Sequence, residues 1–65
     1  MNPAIVHVLK YFTFGHLPER LQVISSPFCD LAKQIADRCP ENPETTVALR
    51  KLLEAKDAAV RAALG

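Results

Sequence analysis

Cysteine is too scarce in this chain to staple it. The two present, Cys29 and Cys39, lie ten residues apart. On one helix that spacing is about 15 Å, and a disulfide needs Cα atoms within roughly 7 Å. No CxxC occurs and His7 and His16 are nine residues apart, so zinc-site spacing is absent too. Reduced thiols are expected. Glycine is equally sparse. Gly15 and Gly65 are the only two, which excludes a glycine-rich phosphate loop. No serine or cysteine stands at motif spacing from a base, so nucleophilic catalysis has no visible material.

Charge of one sign is also missing. Eight basic and seven acidic residues leave a net +1. Indiscriminate binding to DNA or RNA wants a basic face, so neither polymer is an expected partner. No apolar run approaches the roughly 18 residues of a membrane span. Ile5, Val6, Val8 and Leu9 are interrupted by His7, and no signal-peptide cleavage pattern follows. The expectation is a soluble intracellular protein without a membrane partner. There are no repeats and no low-complexity stretches.

What remains is one domain, residues 1–65. A chain of this size buries only about 60% of its unfolded surface. Small folds usually add a disulfide, a metal or a second copy. With the first two gone, self-association is the leading source of extra stability.

Prolines punctuate an all-α pattern. Asn2-Pro3 reads as an N-cap followed by proline at the first helical position. Ile5, Val8, Leu9 and Phe12 then repeat at helical spacing, predicting a short helix over about 3–11. Gly15 stops it or lets the chain turn. Pro18 opens a second helix, with Glu19 in its first turn. Leu21, Ile24, Phe28, Leu31 and Ile35 form a seam of coiled-coil type. The seam keeps its phase across Pro27, which predicts one kinked helix and not two, with Ser25 and Ser26 placed to bond freed carbonyls. Cys39-Pro40 ends it. Asn42-Pro43 then starts a third helix, to about Leu64, rich in strong helix formers. Leu49, Leu53, Val60 and Leu64 make one stripe. Leu52, Ala55, Ala59 and Ala63 make a second, which faces water in a monomer and suits another subunit. The short connection makes the last two helices an antiparallel hairpin.

Of four aromatics, three fall in the stretch KYFTFGHLPER, residues 10–20. Phe12 fits the first stripe and Phe28 the seam, so both are expected in the core. No stripe explains Tyr11 or Phe14. Exposed rings beside Lys10, His16 and Arg20 suit stacking on a ligand's bases, worth about 1–3 kcal/mol per base. The plainer alternative is packing. His16 is equally placed to cap the second helix. Lys56 and Asp57 read most simply as a solvated face, with Lys51, Lys56 and Arg61 as candidate donors to phosphate.

Three blocks in order carry a resemblance: FTFGHLPE, LQVISSPFCDLAKQIADRCP and NPETTVALRKLLEAKDAAVRAAL. Over residues 12–64 the chain resembles the anti-CBASS cyclic-oligonucleotide sponges of tailed phages, whose helical hairpin is shared by a phage anti-Thoeris sponge. The ending AKDAAVRA departs from the tryptophan-containing ending of many members. The resemblance implies a protein of the host cytoplasm that binds cyclic di- or trinucleotides released by bacterial defence synthases. It holds them intact, with no enzyme activity and no cofactor. It implies a homo-oligomer, a hexamer, with pockets between protomers. The dinucleotide pocket would draw a stacking ring from Tyr11, Phe12 or Phe14, with Tyr11 and Phe14 favoured. The family's basic residue on the kinked helix falls here on Ile24-Ser25-Ser26, which carries hydroxyls and no charge; Arg20 or Lys10 are the substitutes. A separate trinucleotide pocket would use Arg61 with Thr45 or Thr46. The rival reading is a helical protein–protein adaptor with no nucleotide ligand. An enzyme using His16 with Asp30 or Asp57 is weaker, since nothing in the sequence fixes their geometry.

Overall fold

The computed structural model describes residues 2–65, and among them it is all-helical with no strand. Helix α1 spans Pro3–Leu9, α2 spans Glu19–Arg38 and α3 spans Pro43–Leu64. Two starts follow the sequence. The side chains of Asn2 and Asn42 accept from the backbone N–H groups of Ile5 and Thr45, at 3.1 and 3.0 Å. Each cap precedes a proline that has no N–H to leave unpaired. At 22 residues α3 is about 33 Å long, so it sets the 35 Å long axis of the molecule.

The first helix ends differently from expectation. After Leu9 the chain tightens into a 3-10 turn, Lys10–Phe12. Thr13 then turns extended, and its hydroxyl donates to the Lys10 carbonyl at 3.1 Å. Thr13, not Gly15, is therefore the stop. Gly15 has no positive φ, and a Cβ there would meet nothing. His16 does not cap α2 either. The Pro18 carbonyl accepts the first helical N–H groups of Leu21 and Gln22, with no side-chain cap. Gln22 reaches back, its Nε2 donating to the Leu17 carbonyl at 2.9 Å, and this holds the loop against the start of α2.

Helix α2 runs unbroken past Pro27. Pro27 and Val23, whose carbonyl loses its helical partner, both sit on the exposed side, where water can replace the lost bond. The burial of α2 departs from the expected seam. Of that seam only Leu21 is buried; Ile24, Phe28 and Ile35 are half-buried and Leu31 is 45% exposed. The buried line is Leu21, Ser25, Cys29, Ala32 and Ala36, one residue round the helix. Small side chains let neighbouring helices approach closely, and the large ones are left flanking the contact.

The core is accordingly asymmetric. Ile5, Val8 and Phe12 supply its bulk from the N-terminal segment and Leu49 from α3, over the small α2 residues Cys29, Ala32 and Ala36. Phe12 is 1% exposed, and burial of a side chain of this kind stabilises by roughly 1.5–3 kcal/mol. The N-terminal segment thus lies across both long helices, and residues 39–42 join α2 to α3 as an antiparallel pair.

Ser25 is fully buried, and among the described residues its hydroxyl has no hydrogen-bond partner, so, against expectation, it does not bond a carbonyl freed by Pro27. An unsatisfied buried hydroxyl costs about 1–3 kcal/mol. Ser25→Ala is therefore expected to raise the stability of the isolated chain by about 1 kcal/mol, read as a higher urea midpoint at unchanged slope. A clear loss of stability would show that Ser25 has a partner in solution.

Candidate functional site

The Lys10–Phe12 turn does two jobs at adjacent positions. Phe12 points inward and Tyr11 outward, with 56% of its surface exposed. The Tyr11 ring is steadied from one side by His7, one helical turn earlier, in an edge contact with centroids 5.6 Å apart and planes at 79°. Beside Tyr11 opens a cleft of about 410 Å³. One wall is the turn and the following loop, contributing Lys10, Tyr11, Thr13, His16 and Leu17. The other is the second half of α3, contributing Lys56, Asp57, Val60 and Arg61.

The cleft is lined by three cations, Lys10, Lys56 and Arg61, and one carboxylate, Asp57. Its apolar surface comes from Leu17, Val60 and the Tyr11 ring. This is a site for a guest that carries both anionic groups and flat rings. Ammonium and guanidinium groups bond phosphate oxygens more strongly than neutral donors do, and an exposed aromatic offers a face for stacking.

Lys56 corrects the sequence reading. It is not on a solvated face. Its side chain is 12% exposed, and Nζ lies 3.0 Å from Asp57 Oδ1. The signal was present in the spacing. Leu49, Leu53 and Val60 leave one empty register position between Leu53 and Val60, and Lys56 fills it. A lysine in a buried stripe covers apolar surface with its methylene stem and carries its charge to the edge. Here that edge is the cleft. Lys51, by contrast, is solvated, its ammonium 3.5 Å from Glu54 with both side chains mostly exposed. Such a pair contributes little.

The expected site residues divide into two sets. Lys10, Tyr11, His16 and Arg61 meet in the cleft. The resemblance assigns Tyr11 and Arg61 to separate pockets, yet in this chain they border the same one. The other set lies outside it. Phe14 is half-buried and packs against the core. Arg20 is exposed in the first turn of α2, and Ser25 and Ser26 are buried and half-buried in its middle. Thr45 is buried and committed to the chain reversal: its Oγ1 donates to the Pro40 carbonyl at 2.5 Å and sits 3.3 Å from Asn42 Oδ1. Thr46 is half-buried beside it. Thr13, Leu17 and Val60 were not anticipated. They bracket the expected residues in sequence or in space and have no chemical signature of their own.

Among the described residues no group of three or more His, Cys, Asp or Glu comes together in a way that would hold a metal ion, and no helix is long and apolar enough to cross a membrane. Compared with known families, curated proteins and solved structures, the chain matches none.

Proposed function

We propose that this chain is a phage anti-defence sponge: a non-catalytic protein of the host cytoplasm that sequesters cyclic di- or trinucleotide messengers of CBASS immunity. The observation that carries this reading is the meeting of an exposed, side-supported ring with three cations in one cleft. A cyclic oligonucleotide is a ring of phosphates with bases splayed outward. Tyr11 stacks a base, while Lys10, Lys56 and Arg61 bond phosphate oxygens. Holding the ligand is enough to silence the signal, so no bond needs to be broken. The sequence blocks that resemble the sponge family support the same reading.

The proposed assembly is a homo-oligomer, with a hexamer as its form and a kink at Pro27 shaping α2 for contact. Two features favour self-association. The flanking apolar residues of α2 stay partly open, with Val23 70% and Leu31 45% exposed, and Ala55 and Ala63 lie bare on α3. The cleft is also near the low end of ligand pockets, which run from about 300 to 1,000 Å³. One cleft accommodates one nucleotide unit of a cyclic ligand, and a symmetric pair of copies presents two equivalent rings and two sets of cations to its halves.

Native mass spectrometry of the chain mixed with a panel of cyclic di- and trinucleotides tests all three parts together. The expected result is a multiple of the 7.2 kDa protomer carrying ligand of unchanged mass. Ligand heavier by one water would make the protein a hydrolase. An assembly that retains no member of the panel would favour the adaptor, whose partner surface would be the exposed apolar residues of α2. A ligand-free monomer at micromolar concentration would overturn the assembly.

A further inference from the structure

A carboxylate in an anion-binding cleft calls for a reason. Asp57 has one local duty, since its Oδ1 lies 3.0 Å from the ammonium of Lys56, whose side chain is 12% exposed. That duty does not need a group turned to the cleft, yet Asp57 lines the wall and keeps 46% of its side chain exposed. A ligand whose ring lies on Tyr11 and whose phosphates reach Lys10 and Arg61 must set some other part of itself against Asp57. Phosphate is repelled there. A carboxylate accepts hydrogen bonds and donates none, so it suits an edge made of donors.

The bases differ on this point. The pairing edge of adenine offers one donor group beside an acceptor nitrogen, and cytosine is alike. Uracil has a single N–H between two carbonyls. Only guanine sets N1–H and the exocyclic amino group side by side, matching the two oxygens of a carboxylate. Resting on the sponge reading above, we infer that Asp57 is a specificity-determining residue and that the cleft selects guanine-containing cyclic nucleotides. The base stacks on Tyr11 with its donor edge on Asp57, and Lys56 Nζ, 3.0 Å from Oδ1, orients the carboxylate.

Calorimetry with cyclic diguanylate and cyclic diadenylate decides it, using the full chain, Asp57→Asn and Asp57→Glu. A bidentate contact to a base edge discriminates by about 1–3 kcal/mol, so the wild type should prefer cyclic diguanylate by at least about fivefold. Asp57→Asn should bring the two affinities within about threefold of each other, because an amide offers a donor that adenine can accept. Asp57→Glu should keep the preference for guanine. Equal wild-type affinities would overturn the inference and leave the sponge reading standing. So would an Asp57→Asn variant that tightens or weakens both ligands alike, which would make Asp57 a counter-ion to Lys56 only. Failure of the wild type to bind either ligand or any other cyclic di- or trinucleotide would overturn the sponge reading as well. The wild-type comparison stands even where a variant fails to fold.

Discussion

Tyr11→Ala is expected to weaken binding of a cyclic dinucleotide by about five- to 150-fold for each base stacked, and to leave folding nearly untouched. The loss follows from removing a stacking face worth about 1–3 kcal/mol. The unchanged stability follows from position. Tyr11 is 56% exposed, and among the described residues its hydroxyl holds no hydrogen bond and its ring partner is the exposed His7. Alanine also suits the helical backbone at least as well as tyrosine. Calorimetric titration and a urea curve on the same preparation separate the two effects. Parallel falls in binding and stability would mean that Tyr11 is packed in solution, and the cleft would lose its platform.

Phe12→Ala, one residue along, is expected to do the reverse. Phe12 is 1% exposed and is the largest fully buried side chain. Truncating a buried phenylalanine costs about 3–5 kcal/mol. A single core of this size rarely supplies more than about 3–5 kcal/mol in all. The variant should therefore be largely unfolded, or should keep α2 and α3 with the N-terminal segment undocked. Far-UV circular dichroism through a urea titration, at one fixed protein concentration, distinguishes these outcomes. A midpoint shifted by less than about 1 kcal/mol would mean that the segment does not rely on Phe12 to dock. Docking matters for function because the same turn carries Tyr11. Any loosening of Phe12 also moves Lys10 and Tyr11 away from the α3 wall, and ligand affinity should fall with it.

The contrast between Tyr11 and Phe12 shows which parts of the molecule could be read before folding. Phe12 falls on the stripe begun by Ile5 and Val8, so its burial follows from helical periodicity. Tyr11 and Phe14 fall on no stripe, and their spacing left stacking and packing both open; the structure exposes Tyr11 and packs Phe14 against the core. The caps at Asn2 and Asn42 were equally readable, because an asparagine before a proline satisfies the first N–H groups by local geometry alone. The start of α2 was readable only in position. Pro18 does sit at the boundary, but its carbonyl forms the cap, and His16 is free of that duty and turns to the cleft.

The phase of α2 was not readable. Its pattern offers a large seam, Leu21 to Ile35, and a small one, Ser25 to Ala36, and local propensity cannot choose between them. The candidates Ser25 and Ser26 on α2 were placed by the resemblance, and Thr45 and Thr46 at the start of α3 by residue type. Thr45 shows what that misses, since a buried hydroxyl that already donates to the Pro40 carbonyl has no proton left to offer a phosphate.

From the sequence alone come the helical class, the capped starts of α1 and α3 and the central place of Phe12. Each depends on contacts within a few residues, which spacing encodes directly. Tertiary packing decided that small residues of α2 face inward, that Lys56 is covered, and that Asp57, Arg61 and Tyr11 share one cleft. The last of these joins positions some 45 to 50 residues apart, and the others also span separate helices. They depend on how closely helix surfaces fit together, a property of shape in three dimensions that no periodicity along one chain contains.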